Sequence, residues 1–141
     1  MKLRILIIED DSGVRETLSD LLESLGYLVY TAFNGQDGMN QLQKLTPDLI
    51  ICDVMMPVMD GMEFLRIVKS NRDLWMIPVL MLTAKVEFED RMKAYEIGAD
   101  GYLVKPFEVK SLAYSIKNLI ALSQNISSKG ANGKGPLAVH T

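Results

Sequence analysis

The sequence predicts an α/β domain: a single doubly wound parallel sheet of five strands, each followed by a helix. Three observations carry this reading. Apolar runs of strand length recur five times, and each is followed by a stretch with apolar residues at helical spacing. The 141 residues, 48% apolar and 23% charged, suit one hydrophobic core and not two. Runs without polar alternation imply strands buried on both faces, and strict strand–helix alternation implies right-handed crossovers.

The first strand is read from Leu3–Ile8. Val14, Thr17, Leu18, Leu21, Leu22 and Leu25 then follow i, i+3, i+4 spacing, with Gly26 placed to stop the helix. Tyr27–Ala32 is the second strand, and Met39, Leu42 and Leu45 mark the second helix. Leu49–Cys52 and a stripe at Phe64, Leu65 and Val68 make the third pair. Val79–Leu82 leads to a helix read from Met92, Tyr95 and Ile97, with Gly98 as its stop. Tyr102–Val104 and a stripe through Leu112, Ile116, Leu119 and Ile120 close the series. From Ser123 onward the composition shifts to SQNISSKGANGKGPLAVHT, without an acid or an aromatic, so residues 123–141 read as a flexible linker or tail and 1–122 as the domain. The tail either leads to an output domain or ends the chain.

In a doubly wound sheet, ligands bind at the carboxyl ends of the strands, near the point where strand order reverses. Glu9-Asp10-Asp11 follow the first run, Asp53 the third, Thr83-Ala84 the fourth and Lys105-Pro106 the fifth. Carboxylates brought together repel and need a cation, and an all-oxygen set favours Mg²⁺ or Mn²⁺ over zinc. The single His140 lies in the tail and the single Cys52 inside a strand, so neither a zinc site nor a disulfide is expected.

At these positions the chain resembles the receiver domain of two-component response regulators. The resemblance rests on ILIIEDD (5–11), LIICDVMMPVMDG (49–61), PVLMLTA (78–84) and GADGYLVKPF (98–107), in that order. It implies a flavodoxin-like (βα)5 receiver fold, with Asp53 as phospho-acceptor and Glu9 and Asp10 as the acidic pair that binds Mg²⁺. It further implies Thr83 and Lys105 as phosphoryl contacts, Tyr102 as a switch aromatic and a cis peptide between Lys105 and Pro106. The physical roles are intelligible: Asp53 is a carboxylate nucleophile, and the transfer needs positioning and charge neutralisation above all. Asp10, Asp53 and the backbone carbonyl of Met55 would ligate the metal, with Glu9 acting through water or orienting the shell. The Ala84 backbone N–H would assist at the phosphoryl group. The donor implied is a sensor histidine kinase or a phosphotransfer protein. Phosphorylation would add a charge of about −1.5 to −2, drawing Thr83 toward it and letting Tyr102 move, and the resemblance implies that the face formed by residues 86–122 then repacks for homodimerisation or effector contact.

Other residues read plainly. Asp11 is a solvated or capping residue, Asp60-Gly61 is turn chemistry opening the third helix, and Cys52 is a small core hydrophobe. Met55, Met56, Met59 and Met62 read as adaptable packing, Trp75 as partly packed and His140 as solvated. Tyr102 reads as a core aromatic when the motifs are set aside. The resemblance implies that the residues two beyond Asp53 and two beyond Thr83 tune dephosphorylation; these are Met55 and Lys85, neither a group that orients an attacking water, so slow dephosphorylation is expected. An aspartyl-phosphate phosphohydrolase would want a second Asp where Met55 stands, and a flavin or nucleotide binder would want a Gly-rich loop where the acids stand. The chain therefore reads as a phosphorylatable switch and not as an enzyme with a substrate to turn over. With 15 basic against 18 acidic residues, the net charge of −3 argues against nucleic-acid binding by this domain, so a transcriptional output would lie in another. No apolar stretch is long enough to span a membrane, and the chain reads as cytoplasmic.

Overall fold

The computed structural model describes residues 2–84 and 87–129, the last five as backbone only. The elements run β1 (Arg4–Ile8), α1 (Ser12–Ser24), β2 (Leu28–Ala32), α2 (Gly35–Leu42), β3 (Leu49–Cys52), α3 (Gly61–Ser70), β4 (Val79–Thr83), α4 (Phe88–Ile97), β5 (Gly101–Val104) and α5 (Val109–Lys129). All strand pairings are parallel, in the order β2-β1-β3-β4-β5.

The continuous apolar runs resolve into two faces of a pleated sheet. Leu6, Ile8, Ile50, Cys52, Val79 and Met81 enter one cluster, with Phe64, Leu65 and Val68 of α3 and Ala94 of α4. The alternate residues Ile5, Ile7, Leu49, Ile51, Leu80 and Leu82 enter the other, with Leu18 and Leu22 of α1 and Leu112, Ile116 and Ile120 of α5. A side-chain period of two places successive apolar residues in opposite layers, so a strand covered on both sides reads as a run with no polar member. Each fully buried aliphatic side chain contributes about 1.5–3 kcal/mol against leaving it in water.

Local signals set the helix ends. Asp11 caps α1, its Oδ1 accepting from the Val14 amide at 3.0 Å. Gly26 stops the helix at a φ of 99°, a left-handed conformation that glycine adopts without a Cβ penalty. Asn34 caps α2 and Asp60 caps α3 in the same manner.

Three expectations change. Helix α2 ends at Leu42, so Leu45 is not part of its stripe, and Gly38 packs against Ile8 where a large residue would collide. Helix α4 turns Ala94 inward and leaves Tyr95 38% exposed, so of the stripe read through Met92, Tyr95 and Ile97 only Ile97 packs against the core cluster. Helix α5 continues to Lys129, past the compositional change, so the first residues of the segment read as flexible are helical. Residues 130–141, His140 among them, lie outside the described residues, as does Lys85.

Candidate functional site

Strand order reverses between β1 and β3, because β1 continues to β2 on one side while the later strands build out on the other. The residues leaving these two strands therefore face each other across a crevice. Glu9 and Asp10 follow β1, Asp53 follows β3, Thr83 ends β4, and Lys105 follows β5. One carboxylate oxygen from each of Glu9, Asp10 and Asp53 lies within 4.8 Å of the others.

Lys105 ties the cluster together. Its Nζ donates to Glu9 Oε1 at 2.8 Å and to Asp53 Oδ2 at 3.2 Å, while its backbone N–H reaches the Thr83 carbonyl at 2.8 Å. The Lys105–Pro106 peptide is cis. Asp53 Oδ1 accepts from the Met55 backbone N–H at 3.2 Å, and Glu9 Oε2 from the Asp11 N–H at 3.3 Å. Both oxygens of Glu9 are thus engaged, whereas the exposed Asp10 carboxylate takes no hydrogen bond from the described residues.

Glu9 and Asp53 are only 2% and 9% exposed. Burial pushes the Glu9 carboxyl above the ordinary glutamate range; the Lys105 hydrogen bond opposes this, and the Asp53 charge adds to it. Burial pulls the Lys105 ammonium down, and the bonds and charges of Glu9 and Asp53 outweigh it, leaving a net rise. The lysine is therefore well served by the cluster while the cluster remains short of positive charge. Three carboxylates, one of them without a hydrogen bond from the described residues, fit a small divalent cation such as Mg²⁺.

Gly61 allows this arrangement. A Cβ there would stand 2.0 Å from the Asp53 carbonyl oxygen, and the Gly61 N–H donates to the Val54 carbonyl at 2.8 Å. Only a residue without a side chain lets α3 begin against the end of β3. Thr83 is fully buried, and Ala84 beside it is exposed. Tyr102 is half-buried on β5 against the core, with the Arg91 guanidinium 5.5 Å from its ring centroid. Burial, with the Asp90 charge behind it, raises the Tyr102 phenol. Met56 and Met62 are buried and Met59 packs against the same cluster, but Met55 is 60% exposed. The Cys52 thiol is pushed well above its ordinary value by burial, as a core hydrophobe should be.

The model of the response regulator receiver domain matches residues 5–117. The chain belongs to the response regulator receiver family. This receiver is 41% identical over 117 residues to the phosphate regulon transcriptional regulatory protein PhoB of Klebsiella pneumoniae, covering 83% of this chain and 51% of that protein. It thus spans about half the length of the curated relatives it matches. Its structure is similar to the chemotaxis response regulator CheY4 of Vibrio cholerae, with 34% identity and a TM-score of 0.79 over 84% of this chain and 99% of that one. A further neighbour is the receiver domain of the sensor histidine kinase PA1611 from Pseudomonas aeruginosa PAO1, solved with a magnesium ion coordinated in its active-site cleft. It is 27% identical with a TM-score of 0.79, over 86% of this chain and 99% of that one. The receiver is a signalling switch by family, and no helix among its described residues is long and apolar enough to cross a membrane.

Two cations of structural consequence lay outside the sequence reading. Arg15 bonds the carbonyls of the acidic loop, and Lys69 is buried between α3 and the start of β4. The signal for Arg15 was a cation early in a helix, where the macrodipole disfavours it and something else must hold it. Lys69 left no such mark, because a lysine in a helix ordinarily reads as surface.

Proposed function

We propose that the receiver accepts a phosphoryl group on Asp53 from the phosphohistidine of a sensor histidine kinase or phosphotransfer protein, and that the acyl phosphate switches the face formed by residues 86–122. The observation that carries this reading is the Asp53 carboxylate at the end of β3, bonded by Lys105 and within 4.8 Å of Asp10 and Glu9. A carboxylate oxygen of Asp53 attacks phosphorus, the P–N bond to the donor imidazole breaks, and that nitrogen leaves with the electron pair and takes up a proton. Mg²⁺, when bound, neutralises charge on the transferring phosphoryl oxygens. Asp10 and Asp53 would hold it with the Met55 carbonyl, while Glu9, both oxygens already bonded, orients the shell. Lys105 holds the attacking carboxylate and then the phosphoryl group, the Ala84 N–H assists, and the buried Thr83 hydroxyl moves toward the new charge, making room for Tyr102.

This reading has the domain as a switch, with no substrate turned over, working in the cytoplasm and governing a transcriptional output domain or a homodimer contact. With Met55 and Lys85 two residues beyond Asp53 and Thr83, where neither orients an attacking water, the phosphoryl group is retained for longer than seconds. The test is incubation with Mg²⁺ and acetyl phosphate, read by intact mass. One added phosphoryl group that is absent in Asp53→Asn and abolished by EDTA supports the reading; no gain, with no structural response to beryllofluoride, overturns it.

A further inference from the structure

We infer that Arg15 is a positioning residue for the metal, holding the main chain of the Glu9-Asp10 loop so that the Asp10 carboxylate is presented to the cation in advance. The inference rests on the reading of Asp10 and Asp53 as Mg²⁺ ligands. Arg15 Nη1 donates to the Glu9 carbonyl at 2.7 Å and lies 3.4 Å from the Asp10 carbonyl. The short contact is a charge-assisted bond to a carbonyl that has left the β1 ladder. The Glu9 N–H is held on the other side by the Ala32 carbonyl at 3.1 Å, so the residue before Asp10 is fixed at both of its main-chain polar groups. Asp11, the residue after it, is fixed as the cap of α1, its carbonyl accepting from the Arg15 N–H at 2.9 Å. Asp10 is therefore clamped in its backbone, while its carboxylate takes no hydrogen bond from the described residues and stays available.

Helix stability does not account for the arginine. A cation near the start of α1 opposes the macrodipole, Asp11 already caps the helix, and Leu18 and Leu22 anchor it in the core. Lys105 and Arg15 divide the work: the lysine bonds the carboxylates of Glu9 and Asp53, and the arginine bonds the peptide that carries Asp10. Groups that orient metal ligands in this manner typically govern 10–100-fold in affinity.

The test titrates Mg²⁺ calorimetrically into the full chain as wild type, Asp10→Asn, Arg15→Met and Arg15→Lys, with melting curves in EDTA and acetyl phosphate labelling at several Mg²⁺ concentrations. Arg15→Met should raise the Mg²⁺ dissociation constant about tenfold. Arg15→Lys, which keeps the charge and one donor on a shorter reach, should raise it about threefold. The Arg15→Met labelling rate should return to the wild-type value at saturating Mg²⁺. Equal Mg²⁺ affinity in wild type and Arg15→Met overturns the proposal. So does a labelling rate that stays low at saturating Mg²⁺ with the dissociation constant unchanged, which would put Arg15 on the phosphoryl donor. Should Arg15→Met melt far below the wild type in EDTA, Arg15→Lys decides alone: a threefold loss supports the proposal and wild-type affinity overturns it. Absence of Mg²⁺ binding by the wild type removes the metal reading itself, a failure distinct from these.

Discussion

Glu9 is buried with its Oε1 2.8 Å from the Lys105 ammonium, yet burial still raises its carboxyl above the ordinary range. Between the ordinary value and the raised one, the folded chain binds more protons than the unfolded chain, so stability falls as pH rises through that window. Glu9→Gln removes this titration. In EDTA, the wild type should lose stability relative to Glu9→Gln as pH rises from about 4 through the raised Glu9 value, as read by paired urea melts. A difference that stays flat with pH would contradict the burial argument. A second residue-scale effect concerns Tyr102. The Arg91 guanidinium stands 5.5 Å from the ring centroid, and such contacts contribute about 0.5–1 kcal/mol when partly exposed. Arg91→Ala should release the ring toward Thr83 and tighten beryllofluoride binding about twofold to fivefold, followed by tyrosine fluorescence. Unchanged affinity would mean that Arg91 does not bias the ring.

At the scale of elements, Lys69 joins parts of the sheet that the sequence leaves far apart. Its Nζ donates to the Trp75 carbonyl at 3.0 Å, the Ile77 carbonyl at 2.8 Å and Asp100 Oδ2 at 2.8 Å. All three ammonium protons are used, and Asp100 Oδ2 also accepts from the Val79 N–H at 2.9 Å. One cation therefore joins the end of α3, the entry to β4 and the turn between α4 and β5. Breaking a fully buried ion pair costs about 3–5 kcal/mol. The Asp100 side chain is 38% exposed, so solvent screening reduces the figure. Lys69→Met should lower the urea unfolding free energy by about 2 kcal/mol. A loss below about 0.5 kcal/mol would make the contact incidental. Helix α4 is loosely held in comparison. It buries only Ala94 among its residues and begins at Glu87 without a side-chain cap bond. That is the element the proposed switch would move.

At the scale of the whole molecule, two helical layers close a five-stranded sheet, and the last layer is anchored by Leu112, Ile116 and Ile120 of α5. These precede residue 123. Beyond them, Ser123 Oγ donates to the Met76 carbonyl at 3.2 Å. A chain ending at residue 122 should fold, lose about 1 kcal/mol for that hydrogen bond and label with acetyl phosphate at the full-length rate. Failure to fold would move the domain boundary into the helical extension. The strands were legible because apolar residues covered on both sides leave an unbroken run, as in Leu49–Cys52. The start of α1 was legible from Asp11, and its stop from Gly26. Helix α4 and its stop at Gly98 were legible, but not its inward face, because the one residue it buries is an alanine, which no stripe of large side chains marks.

By itself the sequence determined the class of fold, the positions of the strand ends and the chemistry standing there, because period and composition are local properties of the chain. The tertiary structure alone decided which of those ends meet. Lys105 bonds Glu9 across 96 residues, and Asp53 across 52, because β1 and β3 are neighbours and β5 closes the same edge. It also decided that Glu9 is bonded at both oxygens while the Asp10 carboxylate takes no hydrogen bond from the described residues, that the Arg15 guanidinium reaches the Glu9 and Asp10 carbonyls, and that Lys69 is buried. Each of these depends on where a charged side chain ends after the sheet has assembled, and no local pattern in the chain encodes that.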